Sequence, residues 1–187
     1  MRQDLLNGIS SFSCPKNQEL EEFLKKSAFL YEEIAKSRTY LLIDEDSLGS
    51  PLSILAYFSI GMKTLIIPED LSARQLRQLD GYSDKMYRRR ITNLPVYLIG
   101  QLAKNDKFAF DVTGDEIIQA AISVIKELQN GLGGRLIAVD CKPVKALHDF
   151  YERNQFIMIG HNDDNDLDQF VHFINRKRFD FGKIVEF

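Results

Sequence analysis

The chain has no tryptophan, only two cysteines and five prolines, and no excess of basic charge in its 187 residues. Cys14 and Cys141 are too few for a disulfide framework, and no CxxC spacing offers a zinc or redox motif. With 24 Lys and Arg against 27 Asp and Glu, the net charge of −3 exerts no global pull on nucleic acid or an anionic membrane. Any such contact has to come from a local patch. No apolar run approaches the ~20 residues of a membrane span, and the first residues lack a signal peptide's apolar stretch. The expected address is the cytoplasm, with no membrane partner.

Hydrophobic residues at 44% and charged residues at 27% suit one globular domain over 1–187. Leu20, Phe23, Leu24, Ala28, Tyr31 and Ile34 recur at helical spacing and predict a helix over Asn17–Lys36. Thr39–Asp44 and Ile54–Ile60 read as hairpin strands around the turn Glu45–Pro51. Thr64–Ile67 prolongs the second strand. Leu71–Leu79 reads as a short helix and Gly81–Arg90 as a basic surface loop. Val96–Ala103 is nearly all apolar, as in a central strand covered on both faces.

Thr113 and Glu116 form a capping-box pair at the start of a helix that Gly131, Gly133 and Gly134 stop. Leu136–Val139 is the next buried strand. A helix from Pro143 to Arg153 and strands Phe156–Ile159 and Phe170–Ile174 complete the pattern. Early hairpin pairing and late strand–helix alternation together predict an α/β domain with a mixed, mostly antiparallel central sheet flanked by helices. The tail 175–187, with Phe179, Phe181, Ile184, Val185 and Phe187, is apolar enough to dock on the body or to form a homodimer.

Two places can carry chemistry. The first helical turn at Thr113–Ile117 follows a buried strand and presents unpaired N–H groups, a setting that favours phosphate. Lys104 and Lys107 lie in the loop before it. Tyr151, on the later helix, carries a phenol able to give a proton to a departing thiolate. No metal is expected. Asn162–Asp168 lacks the glycine and glutamate of a calcium loop and reads as a hairpin turn between the last strands, and His148 and Glu152, spaced i, i+4, read as a surface pair without a third ligand. Cys141, at a strand end, reads as inert.

The segment Leu94–Ala103 resembles the strand of GCN5-related N-acetyltransferases that hydrogen-bonds the pantetheine arm of acetyl-CoA. Asp149–Phe156 (DFYERNQF) is similar to the family's FYE-x-x-GF segment, with Gln155 where glycine is usual. Phe12–Cys14, Glu19–Leu24 and Ser37–Tyr40 resemble the bacterial subgroup that includes the toxin acetyltransferases of toxin–antitoxin pairs. The resemblance spans roughly Leu6–Ile174. It implies a GNAT-like domain that binds acetyl-CoA, without a metal, between Val96–Ala103 and Leu136–Asp140. Cofactor contacts are expected from Gln101, Leu102, Ala103, Lys104, Phe110, Asp111, Val112, Thr113, Gly114 and Asp115. The amide of Leu102 or Ala103 steadies the oxyanion, and Tyr151 protonates the thiolate.

The phosphate loop departs from the family's Q/R-x-x-G-x-G/A form. Ala109 and Val112 stand at conserved-type positions of that pattern, only Gly114 remains, and Asp111 and Asp115 add charge that opposes a diphosphate. Three functions therefore stay open. The first is acetyl transfer to the primary amine of a small molecule or protein, with Glu45, Asp46, Glu152 or a water chain as base. The second is a toxin that acetylates aminoacyl-tRNA, held through Arg88–Arg90 and paired with an antitoxin. The third is a non-catalytic binding or regulatory module of the same shape.

Overall fold

Strands that alternate with helices late in the sequence and pair as a hairpin early converge on one sheet. The computed structural model describes residues 2–44, 52–81, 91–109 and 111–174. Its six strands lie in the order β1-β2-β3-β4-β6-β5. They are β1 (Ser37–Ile43), β2 (Ile54–Ile66), β3 (Asn93–Lys104), β4 (Leu136–Cys141), β5 (Ile157–Asn162) and β6 (Leu167–Phe173). Every neighbouring pair is antiparallel except β3 with β4. The mixed, mostly antiparallel sheet expected from the sequence is the one observed.

Helices cover both faces. On one, α5 (Gly114–Leu132) and α6 (Lys145–Arg153) bury Ile117, Ile118, Ala121, Ile122 and Ile125 against Phe58, Ile60, Ile99, Ile137, Val139 and Phe170. On the other, α4 (Ala73–Asp80) closes a cluster of Leu65, Leu79, Val96, Leu136, Ala138 and Val171. Beside it, the N-terminal helices pack Ile9, Phe12, Leu24 and Ala28 onto Tyr57 and Ala103. Alternation along β3 and β4 therefore feeds two cores, which is why both read as continuous apolar runs.

The N-terminal region differs from the expectation. Residues Arg2–Ser11 form α1, a helix not expected from the sequence, where Gly8 interrupts the apolar spacing. That glycine is needed, because a Cβ there would lie 2.8 Å from the carbonyl oxygen of Leu52. The single helix expected over Asn17–Lys36 is three joined pieces, α2 (Gln18–Glu22), a π-helical turn (Phe23–Ser27) and α3 (Ala28–Glu33). Tyr57 donates its hydroxyl to the Leu20 carbonyl at 2.6 Å. A side chain inserted into the i→i−4 ladder is a recognised cause of such a bulge.

The remaining differences are at boundaries. β2 runs unbroken from Ile54 to Ile66. α6 begins at Lys145, so Pro143 precedes the helix instead of occupying its first turn. β6 begins at Leu167, earlier than the expected Phe170, since its first residues are polar. Glu45, Asp46, Arg88–Arg90, Phe110 and the tail 175–187 lie outside the described residues.

Candidate active site

The parallel pair β3–β4 is joined only at Tyr97↔Ile137 and Leu98↔Ala138. β3 nevertheless continues to Lys104, held on its other edge by β2, and β4 continues to Cys141, held by β6. The sheet therefore splits between two strands that are each anchored from outside. A register shift opposite Ser59 and Ile60 leaves Gly100 as the extra residue of a bulge, which bends β3 where the split opens. Among the described residues, the main-chain groups along 99–104 that face β4 have no strand partner. Such an edge can take an extended, amide-bearing ligand as an added strand.

Gln101, Leu102 and Ala103 all lie on this unpaired stretch, opposite Ser59, Phe58 and Tyr57 of β2. Ala103 is buried, so its main chain is what it can offer. Lys104, at the end of β3, donates its Nζ to the carbonyl of Ala109 at 3.0 Å and ties down the following loop. Asn105 anchors the same loop from within: its amide donates to Ile54 at 2.8 Å, and its oxygen accepts from the N–H of Lys107 at 3.1 Å.

The N-terminus of α5 stands beyond the loop. Thr113 and Glu116 complete the capping box, with the Thr113 amide donating to Glu116 at 2.7 Å and the Glu116 amide donating to Thr113 Oγ1 at 3.2 Å. The amides of Gly114 and Asp115 keep no protein acceptor among the described residues, leaving two donors and the helix dipole for an anion. Gly114 sits in a close approach, since a Cβ there would lie 3.1 Å from the Phe150 ring, which would have to shift by a few tenths of an ångström. Val112 turns its side chain into the main core and can contribute only main chain to a ligand.

The two aspartates behave differently. Asp111 is exposed. Asp115 accepts from Asn154 at 2.6 Å and from the Arg153 guanidinium at 3.0 and 3.1 Å. Those bonds hold its carboxyl below the usual carboxylate range and supply a cation beside it. The charge expected to repel a diphosphate is thus already paired with α6. The residues present fit an anion at this turn despite the lost glycines.

Tyr151 packs from α6 against the core face of β4 and β6. Its ring lies 5.6 Å from Phe156 and 5.7 Å from Phe170, and its hydroxyl has no hydrogen-bond partner among the described residues. Burial, then the charges of Cys141 and Asp140, push its pKa upward, so the phenol stays protonated. A closed helix end fixes the ring. Phe156 N–H bonds the Tyr151 carbonyl at 3.0 Å and Gln155 N–H that of Glu152 at 2.9 Å, the paired bonds of a Schellman motif. Gln155 takes φ +65°, which explains the glycine usual at that position in the resembled segment.

No protein-family model matches the sequence, and no curated protein sequence matches it. Solved structures do. AtaT complexed with acetyl-methionyl-tRNAfMet superposes with a TM-score of 0.65 at 16% identity, over 88% of this chain and 86% of that one. A tyrosine-to-phenylalanine mutant of KacT gives 0.67 at 17% identity over 88% and 86%. AtaTR bound with AcCoA gives 0.62 at 17% identity over 86% and 84%. The fold is that of the GCN5-related N-acetyltransferases.

Within this fold, two features are not legible in the sequence. His148 does not pair with Glu152; its Nε2 lies 2.6 Å from Asp168 of β6, and His161 Nδ1 lies 2.8 Å from the other carboxylate oxygen. The Asn- and Asp-rich run Asn162–Asp168 predicts a turn that includes Asp168, whereas Asp168 lies in β6. The second feature is an ion pair between Lys63 and Asp140. Its signal was a lone lysine in β2 and a lone aspartate ending β4, too far apart in sequence to associate. Cys141 is buried and its pKa is pushed up to about 11, first by burial and then by Asp168 and Asp140, which keeps the thiol protonated. Among the described residues, no group of three or more His, Cys, Asp or Glu side chains is arranged to hold a metal. No described helix is long and apolar enough to cross a membrane.

Proposed function

We propose that the chain is an acetyl-CoA-dependent N-acetyltransferase and that its acceptor is the amino group of an aminoacyl-tRNA, as in a toxin of a toxin–antitoxin pair. The observation that carries the transferase reading is the split between β3 and β4, on a sheet face covered by α5, whose first amides are free, and by α6, whose Tyr151 hydroxyl has no partner among the described residues. The acceptor is supported by the likeness to AtaT complexed with acetyl-methionyl-tRNAfMet. An antitoxin partner is supported by AtaT bound to the C-terminus of AtaR and by the KacTA–DNA complex. Arg88–Arg90 is the local basic patch for the tRNA phosphates.

In this reading the edge of β3 over 99–104 orients the pantetheine arm by main-chain bonds, while Gly114 and Asp115 amides hold the diphosphate. An amide on that edge, near Leu102 or Ala103, steadies the oxyanion of the tetrahedral intermediate. The acceptor amine attacks the thioester directly, and Tyr151 passes its proton to the thiolate. The test is transfer of radiolabelled acetyl from acetyl-CoA to a mixture of charged tRNAs. Labelled N-acetyl-aminoacyl-tRNA supports the whole reading. Label moving only to free amines or protein retains the transferase and replaces the acceptor. Neither transfer nor acetyl-CoA binding leaves a module of the same shape.

A further inference from the structure

One amine at the split has no part in that scheme. Lys63 stands on β2, yet its Nζ donates to both carboxylate oxygens of Asp140 on β4, at 2.6 and 2.5 Å. β3 lies between those strands, so the lysine crosses it to reach the far wall of the opening. Lys63 shares a sheet face with Leu65, and Asp140 shares that face with Leu136 and Ala138. Asp140 follows Ala138, where pairing with β3 stops. The two side chains are only 22% and 23% exposed. From the opposite face comes Tyr151, whose phenol already feels the charge of Asp140.

A primary amine and a carboxylate able to take its proton thus stand on one face of the sheet where β3 and β4 stop pairing, and a phenol able to give a proton packs on the other; the acetyltransferase reading lays the thioester between them. The nearby lysines are turned elsewhere. Lys104 is held by the Ala109 carbonyl, and Lys142 is exposed and reaches toward Glu19 at 3.9 Å.

We propose that Lys63 is an internal acetyl acceptor, modified by its own chain when acetyl-CoA lies in the split; this rests on the acetyltransferase reading. Asp140 takes one proton from the Lys63 ammonium and later releases it to solvent. The freed Nζ lone pair attacks the thioester carbonyl carbon and forms the C–N bond. The C–S bond breaks with its electron pair on sulfur, and Tyr151 protonates the thiolate. The second proton leaving nitrogen restores the phenol. The products are ε-N-acetyl-Lys63, coenzyme A thiol and one proton. Acetylation removes the cation, and Asp140 is left free to receive the ammonium of an external acceptor.

The experiment incubates the purified full chain with acetyl-CoA and follows intact mass and peptide maps, with calorimetric titration of acetyl-CoA in parallel. The expected result is one acetyl group, on Lys63, with a first-order rate constant unchanged over a ~10-fold dilution of protein. Lys63→Arg keeps a cation against Asp140 and takes no acetyl group at that position. Tyr151→Phe slows the reaction at least ~10-fold. Three outcomes overturn the proposal while leaving the enzyme assignment intact: binding without acetylation at Lys63, equal acetylation of exposed lysines in folded and urea-unfolded protein, or a rate that scales with protein concentration. Absence of acetyl-CoA binding overturns the acetyltransferase reading and this inference with it.

Discussion

Replacing Gln155 by glycine should stabilise the protein, although it deletes a side chain. Gln155 closes α6 in the left-handed region at φ +65°. A side chain there costs an L-residue roughly 1–2 kcal/mol. Glycine removes that cost but adds about 0.5–1 kcal/mol of unfolded-state freedom. The cap uses only main-chain groups of Gln155: the N–H groups of Gln155 and Phe156 donate to the Glu152 and Tyr151 carbonyls, and the Gln155 carbonyl accepts from the side-chain Nδ1 of His172 at 3.2 Å. None is lost, and the Gln155 side chain is exposed. The net gain is therefore about 0.5–1 kcal/mol, or roughly 1–4 °C in Tm for a domain of this size. Differential scanning calorimetry of Gln155→Gly and Gln155→Val measures it. Valine, branched at Cβ, should lower Tm, and a glycine variant that melts no higher than the parent refutes the strain argument.

Tyr151→Phe should lower turnover ~10²–10⁴-fold with little change in acetyl-CoA affinity, because the missing atom is the proton donor; steady-state rates with calorimetry check it, and unchanged turnover removes the tyrosine from that role. Thr113→Ala deletes the N-cap of α5 and should cost about 1 kcal/mol in urea unfolding; a variant unfolding at the same midpoint contradicts the cap. His161, raised in pKa first by its hydrogen bond to Asp168, contributes stability that is complete below its unfolded value and is lost as pH rises through its folded value. Asp168, lowered first by His161, contributes stability that is lost as pH falls through its own folded value. Melting temperature should therefore peak on the mildly acidic side of neutrality, and His161→Gln should flatten the alkaline fall; an unchanged profile rejects the pairing.

What the sequence disclosed were properties carried by consecutive residues. Val96–Ala103 and Leu136–Val139 showed two-sided burial, Thr113 with Glu116 showed a helix start, and the Asn162–Asp168 run showed the hairpin turn between the last strands. What it hid were relations across the sheet. The split depends on where β3 and β4 stop pairing, and Gly100 marks its bulge only once β2 is in register. Asp115 looked hostile to a phosphate because Arg153 and Asn154, the residues that tie it down, lie on another helix. Gln155 looked like erosion of the resembled segment, yet its backbone keeps the left-handed turn that glycine serves. Lys63 and Asp140 carried no local pattern, since a solitary charge in a strand is read as solvated until its partner is seen.

The measurement that bears most directly on the central claim is calorimetric titration of acetyl-CoA into the intact chain. Micromolar binding, ~−8 kcal/mol, is expected, weakened by a bulky side chain at Gly114, which would crowd the Phe150 ring beside the first turn of α5. No heat and no thermal stabilisation at millimolar acetyl-CoA would contradict it.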